Sequence, residues 1–249
     1  MSTITLEVCV DTLGDVLTAK SAGAERIELC SSLETGGLTP SIGMARNAAS
    51  CGVPVFAMIR PHAATFDYSS ADIDCMLSDI ECLQEAGISG FVFGALDSQG
   101  DLHERNLAAL IAACNGMPAT LSRCFDLCRD PMASLEIAIQ TGFKRILTSG
   151  ASATVSTGLP LLKKLFTKAA NRVIIVPGGG VTPESVAQLL DNLPLREIHA
   201  SCKRLIAAKP TSSSAVNVGR NEAQDRFCTD PEIVRELLAK INSASETTD

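Results

Sequence analysis

The sequence predicts an α/β fold, a single-domain (β/α)8 barrel of the TIM type. About eight short apolar runs typical of strands occur along the 249 residues, and stretches with helical periodicity alternate with them. Strict alternation of strands and helices implies a parallel sheet. About eight such units in a chain of roughly 250 residues favour a closed barrel over an open, doubly wound sheet.

The strand predictions rest on a recurring unit, in which a glycine suited to ending a helix is followed by a short polar link and an apolar run. The clearest copies are "AGAERIELC" (22–30), "AGISGFVFG" (86–94) and "TGFKRILTSG" (141–150). The predicted strands begin near Thr3, Arg26, Val53, Gly90, Ala119, Arg145, Arg172 and Arg196.

The helices between them show one buried face and marked starting points. In the segment 70–87, for example, apolar residues recur at the spacing of one helix face, at Ile73, Leu77, Ile80 and Leu83. Three helices are predicted to start where a capping residue precedes a proline, at Asp130-Pro131, Thr182-Pro183 and Asp230-Pro231.

Residues 1–249 contain no linker, so we expect one domain. Two segments depart from this compact plan. The polar stretch Thr211–Phe227 is predicted to form a long loop after the last strand, and residues 243–249, "SASETTD", a disordered tail.

The composition excludes several classes of partner. The net charge of -7 argues against nucleic acid or an anionic membrane as the main partner, because both require clustered lysine and arginine. The N-terminus lacks the pattern of a signal peptide, and no apolar run approaches the roughly 20 residues of a membrane helix. We therefore expect a cytoplasmic protein whose 10 cysteines are reduced thiols, without the C-x-x-C pairs of a zinc finger.

Polar residues occupy the predicted carboxyl ends of the strands, where barrels of this type carry their sites. In chain order they are Glu7 and Cys9, Glu28 and Cys30, Arg60, Gly94, Arg123 and Asp126, Ser149, Gly178 to Gly180, and His199 with Ser201. The carboxylates of Glu7 and Glu28 need compensation, and Arg60 and Arg123 are the predicted partners. The sequence alone allows two interpretations, a buried ion network that closes the barrel or a polar pocket that binds a ligand.

The segment "VPGGGVTPES" (176–185) predicts an anion site. Gly178, Gly179 and Gly180 leave a strand and precede a helix capped at Thr182, so backbone amides can approach a phosphate or carboxylate closely. The amide of Ser201 or Cys202 is expected to assist. A glycine run can also be a tight turn, and that alternative remains open.

A histidine ends the last strand beside this loop. His199 could act as an acid or base. With Glu7, Glu28, Arg60, Arg123 and Asp126 it completes the set of candidate catalytic residues.

At these residues the chain resembles the CutC copper homeostasis family over nearly its whole length. The matching segments are "LEVCVDT", "GAERIELCSSLETGGLTPSIG", "MIRP", "FVFGAL", "RCFDLCRDP", "GFKRILTSGA" and "VPGGGVTPES". The resemblance implies a cytoplasmic barrel that self-associates as a dimer or tetramer and is linked to copper tolerance. It implies no defined reaction.

The resemblance also implies a metal site. The copper-binding cysteines proposed for the family's animal members match Cys9 and Cys30, and soft thiolates on adjacent strands suit Cu(I). The acidic neighbours Glu7 and Glu28 oppose thiolate formation without the metal.

The chain departs from the family pattern in two segments. "HAATF" (62–66) stands where the family usually has Arg-Gly-Gly-Asp-Phe, and "TLSRCFD" (120–126) stands where it has Thr-Phe-His-Arg-Ala-Phe-Asp. His62, Thr65 and Ser122 thus replace an arginine, an aspartate and a histidine. Arg60, Arg123, Asp126 and His199 remain, which favours retained binding over retained catalysis.

Two functions follow as hypotheses. The first is a copper homeostasis protein that binds Cu(I) through Cys9 and Cys30. The second is an enzyme or sensor that binds a small phosphorylated or carboxylated metabolite at the barrel mouth. A third possibility is a barrel whose polar mouth serves only stability.

Overall fold

A computed structural model describes residues 4–207 and 226–246 of the chain. Eight parallel strands form one sheet in the order β7-β6-β5-β4-β3-β2-β1-β8. They are β1 (Thr5–Val10), β2 (Arg26–Leu29), β3 (Val55–Met58), β4 (Gly90–Phe93), β5 (Ala119–Leu121), β6 (Arg145–Thr148), β7 (Ile174–Pro177) and β8 (Glu197–Ala200). Each begins within two residues of its predicted start, which confirms the strand predictions.

Helices follow the strands, and three of them begin at Pro131, Pro183 and Pro231, as the capping patterns predict. The helices are α1 (Leu13–Ala22), α2 (Ile42–Ala49), α3 (Ser70–Glu85), α4 (Glu104–Ala113), α5 (Pro131–Thr141), α6 (Val155–Ala169), α7 (Pro183–Asn192) and α8 (Pro231–Glu246). Asp130 and Thr182 cap α5 and α7 with their side chains, and the Asp230 carboxylate accepts from the Glu232 amide in the first turn of α8. Across the two described ranges, no helix combines the length and apolar character needed to span a membrane.

The sheet closes into a nearly complete barrel where β7 meets β8. The contact is a single parallel bridge between Gly178 and His199 rather than a full ladder. A Cβ on Gly178 would lie 2.5 Å from Leu147 Cδ1 and 3.1 Å from His199 Cβ, so a larger residue would force both side chains to move. The first glycine of the 178–180 loop therefore favours the close approach of β7 to β8.

Alternation along β1 shows how the barrel separates its apolar and polar parts. Leu6, Val8 and Val10 belong to the apolar core that the helices cover. Glu7 and Cys9 point to the opposite face of the strand, into the barrel. Glu7 is 1% exposed and meets charged groups from β2 and β8 there.

A short antiparallel ribbon lies beyond β8 and was not predicted. It pairs β9 (Lys203–Ile206) with β10 (Arg226–Thr229). The predicted loop Thr211–Phe227 is therefore wrong at its last two residues, which begin β10, and its remainder lies outside the described residues. The cross-strand pairing of Leu205 with Phe227 is a long-range contact, which a local sequence pattern does not predict.

The predicted tail also needs correction. Helix α8 continues to Glu246, so residues 243–246 are helical, and residues 247–249 lie outside the described part of the chain. The helix packs on α7 and α1, which explains why it extends through a polar sequence.

Candidate functional site

A cavity of about 590 Å³ opens at the carboxyl ends of the strands. It brings together most of the site residues that the sequence predicts. Those that line it are Cys9, Glu28, Cys30, Arg60, Arg123, Gly179, Gly180, His199 and Ser201. Glu7, Asp126 and Gly178 lie behind this lining and act on it through their neighbours.

Below the cavity, the barrel interior holds a chain of buried ion pairs. Arg26 donates from Nε to Glu7 at 2.5 Å and from its second nitrogen to Glu197, and Arg145 donates to Glu197 at 2.8 Å. Phe56 lies against both guanidinium groups, 5.0 and 5.2 Å from its ring centroid. A buried ion network is therefore present, and it contains Glu7 as expected but Arg26 and Arg145 in place of Arg60 and Arg123.

Arg60 and Arg123 are not the partners of the two glutamates, so that prediction is wrong. Arg60 instead donates to the backbone carbonyls of Thr35, Gly37, Ala63 and Ala64. Arg26 was missed, although a signal was available. It stands two residues before Glu28 on one strand, as Glu197 stands two before His199, so each pair shares the inner face.

His199 lies between two carboxylates on the floor of the cavity. Its Nδ1 donates to Glu7 at 2.8 Å, and its Nε2 is 3.5 Å from Glu28 Oε2. Burial alone would lower the pKa of His199, but Cys9, Glu28 and Glu7 outweigh it and hold that pKa well above its usual value. Burial would likewise raise the pKa of Glu7, yet the bonds from His199 and Arg26 lower it to about 2.

Glu28 is the uncompensated member of this group. It is 3% exposed, and its Oε1 has no hydrogen-bond partner in the part of the chain described. Burial raises the pKa of Glu28 to about 7, against the lowering effect of His199. A buried carboxyl that titrates near neutral pH beside an imidazole is suited to proton transfer or to ligand binding.

The two predicted metal-binding cysteines occupy different surroundings. Within the described residues, the ligand atoms of Cys9, Glu28 and His199 all lie within 4.8 Å of one another, and this group omits Cys30. Cys30 packs in a small apolar cluster with Phe56. Burial, followed by the charge of Glu28, raises the pKa of the Cys30 thiol well above its usual value.

Asp126 organises the cavity rim rather than lining it. Its carboxylate accepts from the amides of Ser149 and Ala151 and from the Thr148 hydroxyl. It also accepts from Arg123 Nε at 2.8 Å, and Arg123 reaches the Ser149 hydroxyl at 3.0 Å. Asp126, a candidate catalytic residue, therefore holds Arg123 at the cavity edge.

The three glycines of the loop have different roles. The Gly178 amide donates to Thr148 O at 3.0 Å. Contrary to the prediction, it is therefore not available to an anion. Gly179 and Gly180 have φ of +109° and +70°, and their amides and that of Val181 form no hydrogen bond with any described residue. A Cβ on Gly179 would lie 3.1 Å from Arg123 Cζ, so the guanidinium lies directly against the loop.

The model of the CutC family matches residues 4–204. The chain belongs to the CutC family. It is 41% identical to the family protein CutC of Rhizobium meliloti (strain 1021), over 98% of each chain. It is also 41% identical to the copper homeostasis protein cutC homolog of Homo sapiens, over 80% of this chain and 73% of that one. The crystal structure of a CutC protein from Streptococcus agalactiae superposes with a TM-score of 0.76 at 30% identity, over 80% of this chain and 98% of the other.

Membership of the CutC family confirms the resemblance. The structure shows where the three departures from the family pattern lie. Ser122 lines the cavity and accepts from the Cys124 amide. His62 lies outside the cavity lining, 3.6 Å from Asp72, and Thr65 is exposed. Among the described residues, only one of the three departures therefore alters the cavity wall.

Proposed function

We propose that this CutC protein is a copper homeostasis protein that binds Cu(I) at the floor of the mouth cavity, through Cys9 and His199 with Glu28 beside them. The observation that carries the proposal is the convergence of these three ligand atoms within 4.8 Å. A thiolate and an imidazole are donors that Cu(I) accepts in low coordination numbers. The human relative's name, copper homeostasis protein cutC homolog, agrees with this chemistry.

The surroundings of His199 support a metal ligand. Metal-binding histidines usually donate their second ring nitrogen to a carboxylate, which fixes the ring and its tautomer. Here Nδ1 donates to Glu7, which leaves Nε2 directed towards Glu28. Arg26 in turn holds Glu7, so the ring is oriented by the barrel interior.

The pair Cys9 and Cys30 remains the prediction from family resemblance, and the geometry favours His199 over Cys30 as the partner of Cys9. Cys9 is partly exposed to the cavity, whereas Cys30 is 1% exposed and its thiol resists ionisation. Recruiting Cys30 would require its thiolate to form in an apolar cluster beside Glu28.

Competition against a Cu(I) chelator tests this proposal on reduced protein without oxygen. Wild type is expected to bind about one Cu(I) per chain. Cys9→Ser and His199→Gln should each weaken binding by more than about tenfold, since even loss of an outer partner costs about 10–100-fold. Cys30→Ser should change affinity little, as should the exposed control Cys75→Ser. Unchanged affinity in Cys9→Ser would refute the site.

A second candidate function has an observation of its own. We propose that the mouth also binds a small phosphorylated or carboxylated metabolite, with the anion on the amides of Gly179, Gly180 and Val181. Arg123 supplies the positive charge, and Ser201 lines the same cavity. The Thr182–Ser185 capping box occupies the amides of Thr182 and Ser185, and Pro183 has no N–H, so the loop amides are the proposed donors.

Gly179→Asp is expected to abolish binding of inorganic phosphate, because it places a carboxylate where the anion would lie. Titration calorimetry measures the effect. Arg123→Gln should weaken binding by about tenfold or more, since a charge-assisted hydrogen bond contributes about 1.5–3 kcal/mol. Gly43→Asp is the control for an added carboxylate, because Gly43 lies in the first turn of α2, away from the cavity. Equal phosphate affinity in Gly179→Asp and wild type would contradict the anion site and show that the glycines only form a tight turn.

A cytoplasmic location and assembly as a dimer or tetramer complete the proposal. Both rest on the resemblance to the CutC family. Light scattering on the purified protein tests the assembly, and a monomer mass would refute it.

A further inference from the structure

One oxygen of the Glu28 carboxyl, which has no hydrogen-bond partner among the described residues, gives the second proposed function a more specific ligand. Its Oε1 is buried, lacks a partner among the described residues, and belongs to a residue that lines the cavity. A buried acceptor without a donor is destabilising, so such atoms usually mark a position that a ligand or water completes. Glu28 therefore requires a hydrogen-bond donor from within the cavity.

The neighbouring imidazole narrows the choice of that donor. His199 Nδ1 is occupied by Glu7, while Nε2 lies 3.5 Å from Glu28 Oε2, too far for a strong direct bond. A hydroxyl can donate its single proton to Glu28 Oε1, and its oxygen remains an acceptor towards Nε2. An ammonium has donors only and offers no acceptor to the ring.

The floor and the anion loop are adjacent. His199 on β8 forms the bridge to Gly178, the residue directly before the Gly179–Val181 amides. Glu28, His199, Gly179 and Arg123 line one cavity of about 590 Å³, within the usual range for small-molecule sites. One small molecule can therefore reach both ends.

We propose that the ligand is a small phosphorylated polyol or hydroxy compound, with its phosphate on the Gly179–Val181 amides and Arg123 and a hydroxyl between Glu28 and His199. This inference rests on the second proposed function, binding of an anionic metabolite. It adds a requirement that the anion loop alone does not impose, namely a hydroxyl group at the other end of the ligand.

Two phosphate esters of equal chain length test the requirement on reduced, copper-free protein. Glycerol 3-phosphate should bind about tenfold or more tightly than propyl phosphate, which lacks the hydroxyls. Glu28→Met should bring the ratio of the two affinities close to one, because it removes the acceptor of the hydroxyl. The variant is expected to fold, because His199 keeps its hydrogen bond to Glu7 and the apolar chain is of similar length to the glutamate. Glu28→Gln, which keeps a carbonyl acceptor, should retain part of the preference.

The possible failures are distinguishable. Equal affinity for the two esters in wild type would overturn the hydroxyl requirement and leave the anion site intact. A preference that survives in Glu28→Met would also overturn it, because the hydroxyl would then be recognised elsewhere. If neither ester binds, the second proposed function fails and this inference fails with it.

Discussion

Replacing Arg26 with methionine is expected to destabilise the protein by about 3–5 kcal/mol, the usual effect of removing one partner from a buried ion pair. Arg26 is 5% exposed and is shared by Glu7 and Glu197. Without Arg26, His199 is the remaining ion-pair partner of Glu7 among the described residues, and Arg145 is that of Glu197. Urea denaturation at neutral pH measures the change in the free energy of unfolding.

Two further variants serve as controls for the effect of Arg26→Met on stability. Arg172→Met removes an exposed arginine from its bidentate pair with Glu136 and should have little effect, because surface pairs contribute little. Adding Glu197→Gln to Arg26→Met should recover part of the lost stability, since one fewer buried charge is left without compensation. If Arg26→Met were as stable as wild type, the barrel interior would be hydrated or its carboxyls neutral, and the ion network would not stabilise the fold.

The second large effect is expected from Gly158→Ala in α6. A Cβ at this position would lie 1.8 Å from the backbone oxygen of Ser149, so the helix and the loop after β6 must separate. Overpacking of this kind costs about 1–3 kcal/mol, and the clash with rigid backbone places this case at about 3 kcal/mol or more. The anion site should weaken as well, because Ser149 holds Arg123 and the Val155 amide at the start of α6 donates to Gly179 O.

Gly43→Ala is the matched control for a helical glycine. A Cβ on Gly43 would meet no atom within 4 Å, so the substitution should be neutral or stabilise by up to about 1 kcal/mol. Thermal denaturation of both variants compares them directly. A Gly158→Ala protein as stable as Gly43→Ala would show that α6 can move away from the loop without loss.

The barrel could be predicted from the sequence because local signals agree with it throughout. The apolar runs fix the strands to within two residues, and the capping pairs at Asp130 and Thr182 fix two helix starts. The ribbon formed by β9 and β10 could not be predicted in this way, because its strands are far apart in sequence and exposed. The helical continuation to Glu246 depends on packing against α1 and α7, which the polar sequence does not reveal.

The site was predictable in position but not in its pairings. Strand ends and alternation place Glu7, Glu28 and His199 inside the mouth. The register of the barrel strands decides which arginine lies beside which carboxylate. It pairs Glu7 with Arg26 on β2 and with His199 on β8. The same register places Cys9 opposite Glu28, and so separates the metal-ligand group from Cys30. Sequence spacing treats the two thiols as equivalent, whereas the fold does not.

X-ray absorption spectroscopy of the reduced protein loaded with Cu(I) tests the copper proposal most directly, because it identifies the atoms bound to the metal. Coordination by Cys9 and His199 predicts both sulfur and imidazole nitrogen in the first shell, with loss of the imidazole signal in His199→Gln. Cys30→Ser should leave the spectrum unchanged. A shell of two sulfur atoms without nitrogen, which Cys30→Ser disrupts, would contradict the proposed site and support the pair Cys9 and Cys30 instead.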